Sequence, residues 1–152
     1  MRLLLFISFL LFSVMAAAQN LSADRVDKLA YAISRAEGFG LRGTIPTRYH
    51  NPGDIKVVRG VRFPGQRGIG KGGHVIFRTD VDGWAALKNQ IVKMANGNSS
   101  FYNPDMTIMQ VARKYATNHR PWAKRVAFEL GVPENTRLRD FLFPVNFLPV
   151  CD

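Results

Sequence analysis

Glu37 has the type and place of an acid catalyst. It lies in the segment Ser34-Arg35-Ala36-Glu37-Gly38, four positions after Ile33 and eleven after Val26. Those spacings put it on the same helical stripe as Val26, Leu29, Ala30 and Ile33. A carboxyl there faces the core side, at the negative end of the helix macrodipole. Both effects disfavour the ionised form and raise the pKa. A carboxylic acid that stays protonated near neutral pH can donate a proton to a leaving group. The alternative is a side chain that swings into solvent from the last helical turn. Asp54 follows seventeen positions later, directly after Pro52-Gly53. It could act as a second carboxylate, or bond backbone amides within a turn.

Other constellations are weaker. Ser34 with His50 or His74 would suggest a nucleophile and base, but no strand-turn-helix elbow surrounds the serine. Gly68 to Gly73 is glycine-rich without Walker spacing. Three His and one Cys show no metal-ligand spacing, so neither a metal nor a cofactor is expected.

The elements that must position Glu37 begin with a helix from about Ser22 to Ala36, capped by Ser22 and stopped at Gly38. A Gly/Pro-rich stretch from Gly38 to Gly73 reads as loop plus an irregular hairpin layer, with Ile55–Val58 and Val75–Phe77 as its β-capable pieces. Helices resume at Asp82, with Trp84, Leu87, Ile91 and Met94 on one face, and again over Thr107–Ala116. Pro121 suits the first turn of the next helix, which carries Trp122, Val126 and Leu130 and stops at Gly131. A short helix with Leu138, Phe141 and Leu142 is last. The fold class expected is mainly α (α+β): a helical domain with a small β/loop wing. Trp84 and Trp122 read as core residues.

Residues 1–18 read as a cleaved secretory signal: Arg2, an apolar run from Leu3 to Val14, then Ala16-Ala17-Ala18. The run is too short to span a bilayer, and no later segment is long and apolar enough. Stable membrane insertion is therefore not expected. Residues 19–152 would form one domain, working outside the cytoplasm, periplasmic or extracellular. The chain carries 21 Lys and Arg against 11 Asp and Glu, a formal charge of +10. Such a field draws polyanions: nucleic acid, an anionic membrane surface or an acidic wall. Export argues against nucleic acid. Cys151 stands alone, so no intramolecular disulfide can form.

The ordered motifs carry a resemblance. After Ala36-Glu37-Gly38 come Ile45-Pro46-Thr47-Arg48-Tyr49-His50-Asn51-Pro52-Gly53-Asp54-Ile55-Lys56, Phe77-Arg78-Thr79, Gly83-Trp84-Ala85-Ala86-Leu87 with Gln90, and Lys114-Tyr115-Ala116-Thr117-Asn118. Trp122-Ala123, Val126-Ala127 and Leu130-Gly131-Val132 complete the set. In this order the chain resembles the lysozyme-like peptidoglycan-lytic enzymes, of the lytic transglycosylase and phage endolysin kind, from about Asp24 to Phe141.

The resemblance implies a lysozyme-like fold with a glycan cleft between helical body and wing, and Glu37 as catalytic acid. Asn51 to Asp54 match the wing motif. Asn51, Thr79, Tyr115 and Asn118 are the positions expected to meet substrate, although Tyr115 fits core packing equally well. His50 and Asp54 stand where Asn is frequent in the family, and the loop from Arg59 to Gly73 is unusually rich in Gly and Arg.

The activity implied is cleavage of the β-1,4 glycan backbone of peptidoglycan, with glycan strands and the anionic wall as partners. Two outcomes stay open. If Asp54 is structural, Glu37 acts as acid and then base, and the sugar's own 6-hydroxyl closes a 1,6-anhydro ring. If Asp54 is catalytic, the pair makes a muramidase, since two-carboxylate glycosidases place their carboxyls about 5–9.5 Å apart. A non-catalytic cationic wall-binding protein is the reading from another class.

Overall fold

The computed structural model describes residues 21–144, so the expected signal segment 1–18 and Cys151 lie outside the described residues. Among the described residues, six α-helices, a 3-10 turn at Lys71–Gly73 and one two-stranded sheet make a mainly α (α+β) fold. Helix α1 spans Ala23–Glu37. The Ser22 hydroxyl accepts from the Arg25 amide at its start, and Gly38 closes it in the left-handed conformation at φ 77°. The helix thus runs one residue beyond the expected end, and Glu37 belongs to its last turn. Its buried stripe is Val26, Leu29, Ala30, Ile33 and their neighbours Ala32 and Ser34.

The Gly/Pro-rich stretch is more ordered than its composition suggests. Ile45–Arg48 form a one-turn helix, α2, with Pro46 in the first turn where its missing N–H costs nothing. Strands β1 (Gln66–Ile69) and β2 (Val75–Phe77) pair antiparallel, with Gln66 opposite Phe77 and Ile69 opposite Val75. Val75–Phe77 is a strand as expected. Ile55–Val58 is not, and joins the sheet only through an isolated bridge from Lys56 to His74. The partner strand comes instead from the Arg/Gly loop, where a bulge between Gln66 and Gly68 absorbs the irregular register.

Helix α3 spans Asp80–Ala95. It starts two residues before the expected Asp82 because the Thr79 hydroxyl caps the Asp82 amide. Helix α4 (Ile108–Tyr115) opens with a capping box between Thr107 and Gln110. Helix α5 (His119–Leu130) begins just before Pro121 and ends on left-handed Gly131. Helix α6 covers Leu138–Leu142.

The core lies where α1 packs on α3 and on α5, with α4 against α5. Leu29 and Ile33 of α1, Leu87 and Ile91 of α3, Trp122 and Val126 of α5, and Leu142 of α6 are buried there with Val75 and Phe77 of the wing. The Ser22 amide reaches the Leu142 carbonyl at 3.2 Å, tying the start of α1 to the end of α6. Helix α3 approaches the wing so closely that a Cβ on Gly83 would stand 1.9 Å from the His50 carbonyl oxygen. Only glycine permits that approach. It places the loop between α2 and β1 directly over the helical body.

Candidate active site

Glu37 is partly buried at the end of α1, and its Oε1 accepts a hydrogen bond of 2.6 Å from the Trp122 indole N–H. Helix α5 supplies that donor from its buried side, where Trp122 is 5% exposed. Burial pushes the Glu37 carboxyl up from 4.5 to about 7. The negative charge of Asp54 raises it further, while the Trp122 bond and the nearby Lys56 ammonium pull it down by less. The outcome is an acid half-protonated near neutrality.

The Tyr115 ring stacks on Trp122 with centroids 5.0 Å apart and planes at 30°. Its hydroxyl donates to the Gly53 carbonyl at 2.6 Å. Burial raises its pKa well above the ordinary value, so the phenol stays protonated as that donation requires. Tyr102, 9% exposed, lies 6.1 Å from Tyr115, centroid to centroid. Its phenol is pushed up to about 12 by burial and by the charge of Glu37. Three aromatic rings from three parts of the chain thus wall the acid.

Asp54 sits beside this cluster in the left-handed region, at φ 47°. Turn bonding of its carboxylate to backbone amides is not what the structure shows. The turn is closed by its own amide, which donates to the Asn51 carbonyl at 3.0 Å. The carboxylate instead faces His74, whose Nδ1 stands 2.7 Å from Oδ1 and 3.3 Å from the Asp54 carbonyl. The ring nitrogen meets the hydrogen-bond angle to the carbonyl but not to Oδ1, which is buried without an aligned donor. The two side chains are thus in close contact without an aligned hydrogen bond. Burial raises the Asp54 pKa, and His74 and Lys56 oppose that rise.

Asn51 is fully buried. Its amide nitrogen donates to the Ile55 and Val75 carbonyls at 2.9 Å each, and its oxygen accepts from the Ile55 amide at 2.8 Å. The side chain stitches the Asn51–Ile55 turn to β2 and presents nothing to a ligand. Gly53 allows Tyr115 and Leu87 to close on that turn, since a Cβ would stand 2.8 Å from Leu87 Cδ1 and 3.2 Å from the Tyr115 hydroxyl.

The expected site residues therefore divide. Glu37, Asp54 and Tyr115 come together. Asn51 holds the turn from beneath. Thr79 is exposed and caps α3, its hydroxyl also donating to Asp82 Oδ2 at 3.0 Å. Asn118 is exposed at the start of α5 and makes no capping bond with its side chain. Sequence reasoning missed Trp122 as a donor to the acid, and missed Tyr102, Lys56 and His74. Trp122 carried a usable signal: a buried indole needs an acceptor for its N–H.

Two surface cavities of about 460 and 520 Å³ lie elsewhere, one lined by Asn103, Met106 and Arg113 among others, the other by Arg62, Phe63 and Arg78. Neither is lined by Glu37 or Asp54. Among the described residues, no group of three His, Cys, Asp or Glu is arranged to hold a metal ion, and no helix is long and apolar enough to cross a membrane.

No protein-family model matches the chain, and no curated protein and no solved structure is significantly similar to it.

Proposed function

We propose that this chain is an exported peptidoglycan-lytic enzyme of lysozyme-like kind, in which Glu37 is the general acid. In this reading residues 1–18 are removed on export and the domain acts on glycan strands in the anionic wall. The observation that carries it is the Glu37 carboxyl, pushed to about 7 by burial and oriented by the Trp122 N–H. A protonated carboxyl at neutral pH can protonate the glycosidic oxygen as the bond to the leaving sugar breaks. The resulting carboxylate then takes the proton of the attacking hydroxyl.

The attacking group separates two outcomes. In the leading one it is the 6-hydroxyl of the same sugar, which closes a 1,6-anhydro ring and releases no reducing end. Glu37 suffices for that route as acid and then base. The second outcome is hydrolysis with Asp54 as the other carboxylate. It is supported by the freedom of Asp54 from backbone amides and by its charge reaching Glu37.

The test is incubation with purified sacculi and mass analysis of the released muropeptides. Anhydro products, lighter by one water, support transglycosylation. Reducing-end products support the muramidase. Wall binding with no muropeptide released would overturn the enzyme and leave a cationic wall-binding protein.

A further inference from the structure

Positive charge is concentrated in one part of this molecule. The 42 residues from Gly38 to Thr79 hold eight Lys or Arg and a single acid, Asp54, a net +7 against +10 for the whole chain. All eight cations (Arg42, Arg48, Lys56, Arg59, Arg62, Arg67, Lys71 and Arg78) are exposed. On the helical body four cations have a carboxylate partner: Lys28 with Asp24, Lys88 with Asp27, Arg125 with Glu129 and Arg139 with Asp105. On the wing, only Arg78 has a carboxylate partner among the described residues, Asp82 at 3.6 Å. The one acid of the segment is turned to His74.

The second observation is apolar. The strip Lys56-Val57-Val58-Arg59-Gly60-Val61-Arg62 mixes three valines with three cations, and its valines are 37%, 40% and 45% exposed. The Val61 amide bonds the Val58 carbonyl at 3.0 Å, so Arg59 and Gly60 form the tip of a turn. The Val57 amide bonds the Gly73 carbonyl at 2.9 Å, which anchors the strip beside the hairpin. On β1, Arg67 and Ile69 are the exposed alternate positions, Ile69 at 60%. Water solvates the cations but leaves the valines and Ile69 as exposed apolar surface, and a hydrophilic polyanion covers none of it. A bilayer surface supplies both needs: phosphate groups for the cations and the acyl boundary for the short apolar side chains.

We propose that the outer strip of the wing, Lys56–Arg62 with Arg67 and Ile69, docks this protein peripherally on an anionic lipid bilayer. The attachment is interfacial, without a spanning segment. Lys56 also acts on Glu37, but Val58, Arg59, Val61 and Arg62 lie outside the Glu37 cluster, and the test rests on these four.

The experiment is co-sedimentation of the purified exported chain with vesicles. One set is phosphatidylcholine alone, and the other contains about 30% phosphatidylglycerol. Binding should be roughly tenfold or more stronger to the anionic set and should weaken as salt rises. Arg59→Glu/Arg62→Glu should abolish it. Arg113→Glu/Lys114→Glu, which removes the same charge from α4, should reduce it far less. Val58→Ser/Val61→Ser should weaken it several-fold at unchanged net charge. Equal loss in the two charge-reversal variants would overturn the proposal in favour of a general cationic attraction. Unchanged binding of the valine variant would overturn it in favour of a plain polyanion patch. Release of muropeptides from sacculi by all three variants should match the parent, which separates this result from any failure of the catalytic reading.

Discussion

Trp122 holds Glu37 by a single short bond, its indole N–H 2.6 Å from Oε1. That bond opposes burial. Burial keeps the proton on the carboxyl, whereas the indole donor favours its departure, and the two leave the group poised near neutral pH. An acid that must give up a proton and take another back needs such a balance.

Replacing Glu37 by Gln should abolish release of muropeptides from sacculi. The amide keeps the shape and can still accept from Trp122, so the circular dichroism spectrum should not change. Full activity in the variant would remove Glu37 from the mechanism.

The same substitution should alter how stability depends on pH. The Glu37 pKa is raised on folding, from 4.5 to about 7. Between those values the unfolded chain has lost the proton while the folded chain retains it, so stability falls as pH rises through that window. Glu37→Gln removes the loss. Its thermal midpoint should match the parent below about pH 4.5 and exceed it above about pH 7, a gain of up to about 3 kcal/mol. A gap that is constant with pH would contradict the raised pKa.

Trp122→Phe removes the donor that lowers the Glu37 pKa. The alkaline limb of the pH–rate profile on sacculi should move to higher pH. Asp54→Asn removes a negative charge that raises it, and should move that limb the other way. Opposite displacements are the signature, and equal ones would show that the limb reports another group.

Asp54→Asn also decides the chemistry. If Glu37 works alone, the variant should retain substantial activity and still yield 1,6-anhydro ends. An inactive variant, together with reducing ends from the parent, would establish two catalytic carboxylates.

Tyr115→Phe leaves the Gly53 carbonyl without its donor while preserving the stack on Trp122. The expected cost is about 1–3 kcal/mol in chemical denaturation. A neutral effect would show that water replaces the hydroxyl.

The helical frame was legible because periodicity reports burial directly. The stripe of α1 and the stops at Gly38 and Gly131 were readable from residue type. The placement of Glu37 followed from the same stripe. The wing was harder. Its strand Gln66–Ile69 contains two small or polar residues and an arginine, and it exists because β2 lies beside it, not through its own propensity. The surroundings of Asp54 were not legible for a related reason. Its neighbours Pro52 and Gly53 signal a turn, but the buried Asn51 side chain does the turn's bonding, leaving the acid to His74. Such assignments depend on which groups arrive from a distance, and local spacing does not carry that information.

The ties that build the site also order its assembly in time. The bond from Trp122 joins positions 85 residues apart, and that from Tyr115 joins positions 62 apart. Each closes a long loop, and the entropy of closure must be met before either contact forms. The backbone bonds within each helix are local, although its packing is not. During refolding, far-UV ellipticity should therefore recover before the buried environment of Trp122, read by its fluorescence, and a nascent chain that has not yet delivered α5 carries Glu37 without the indole that tunes it.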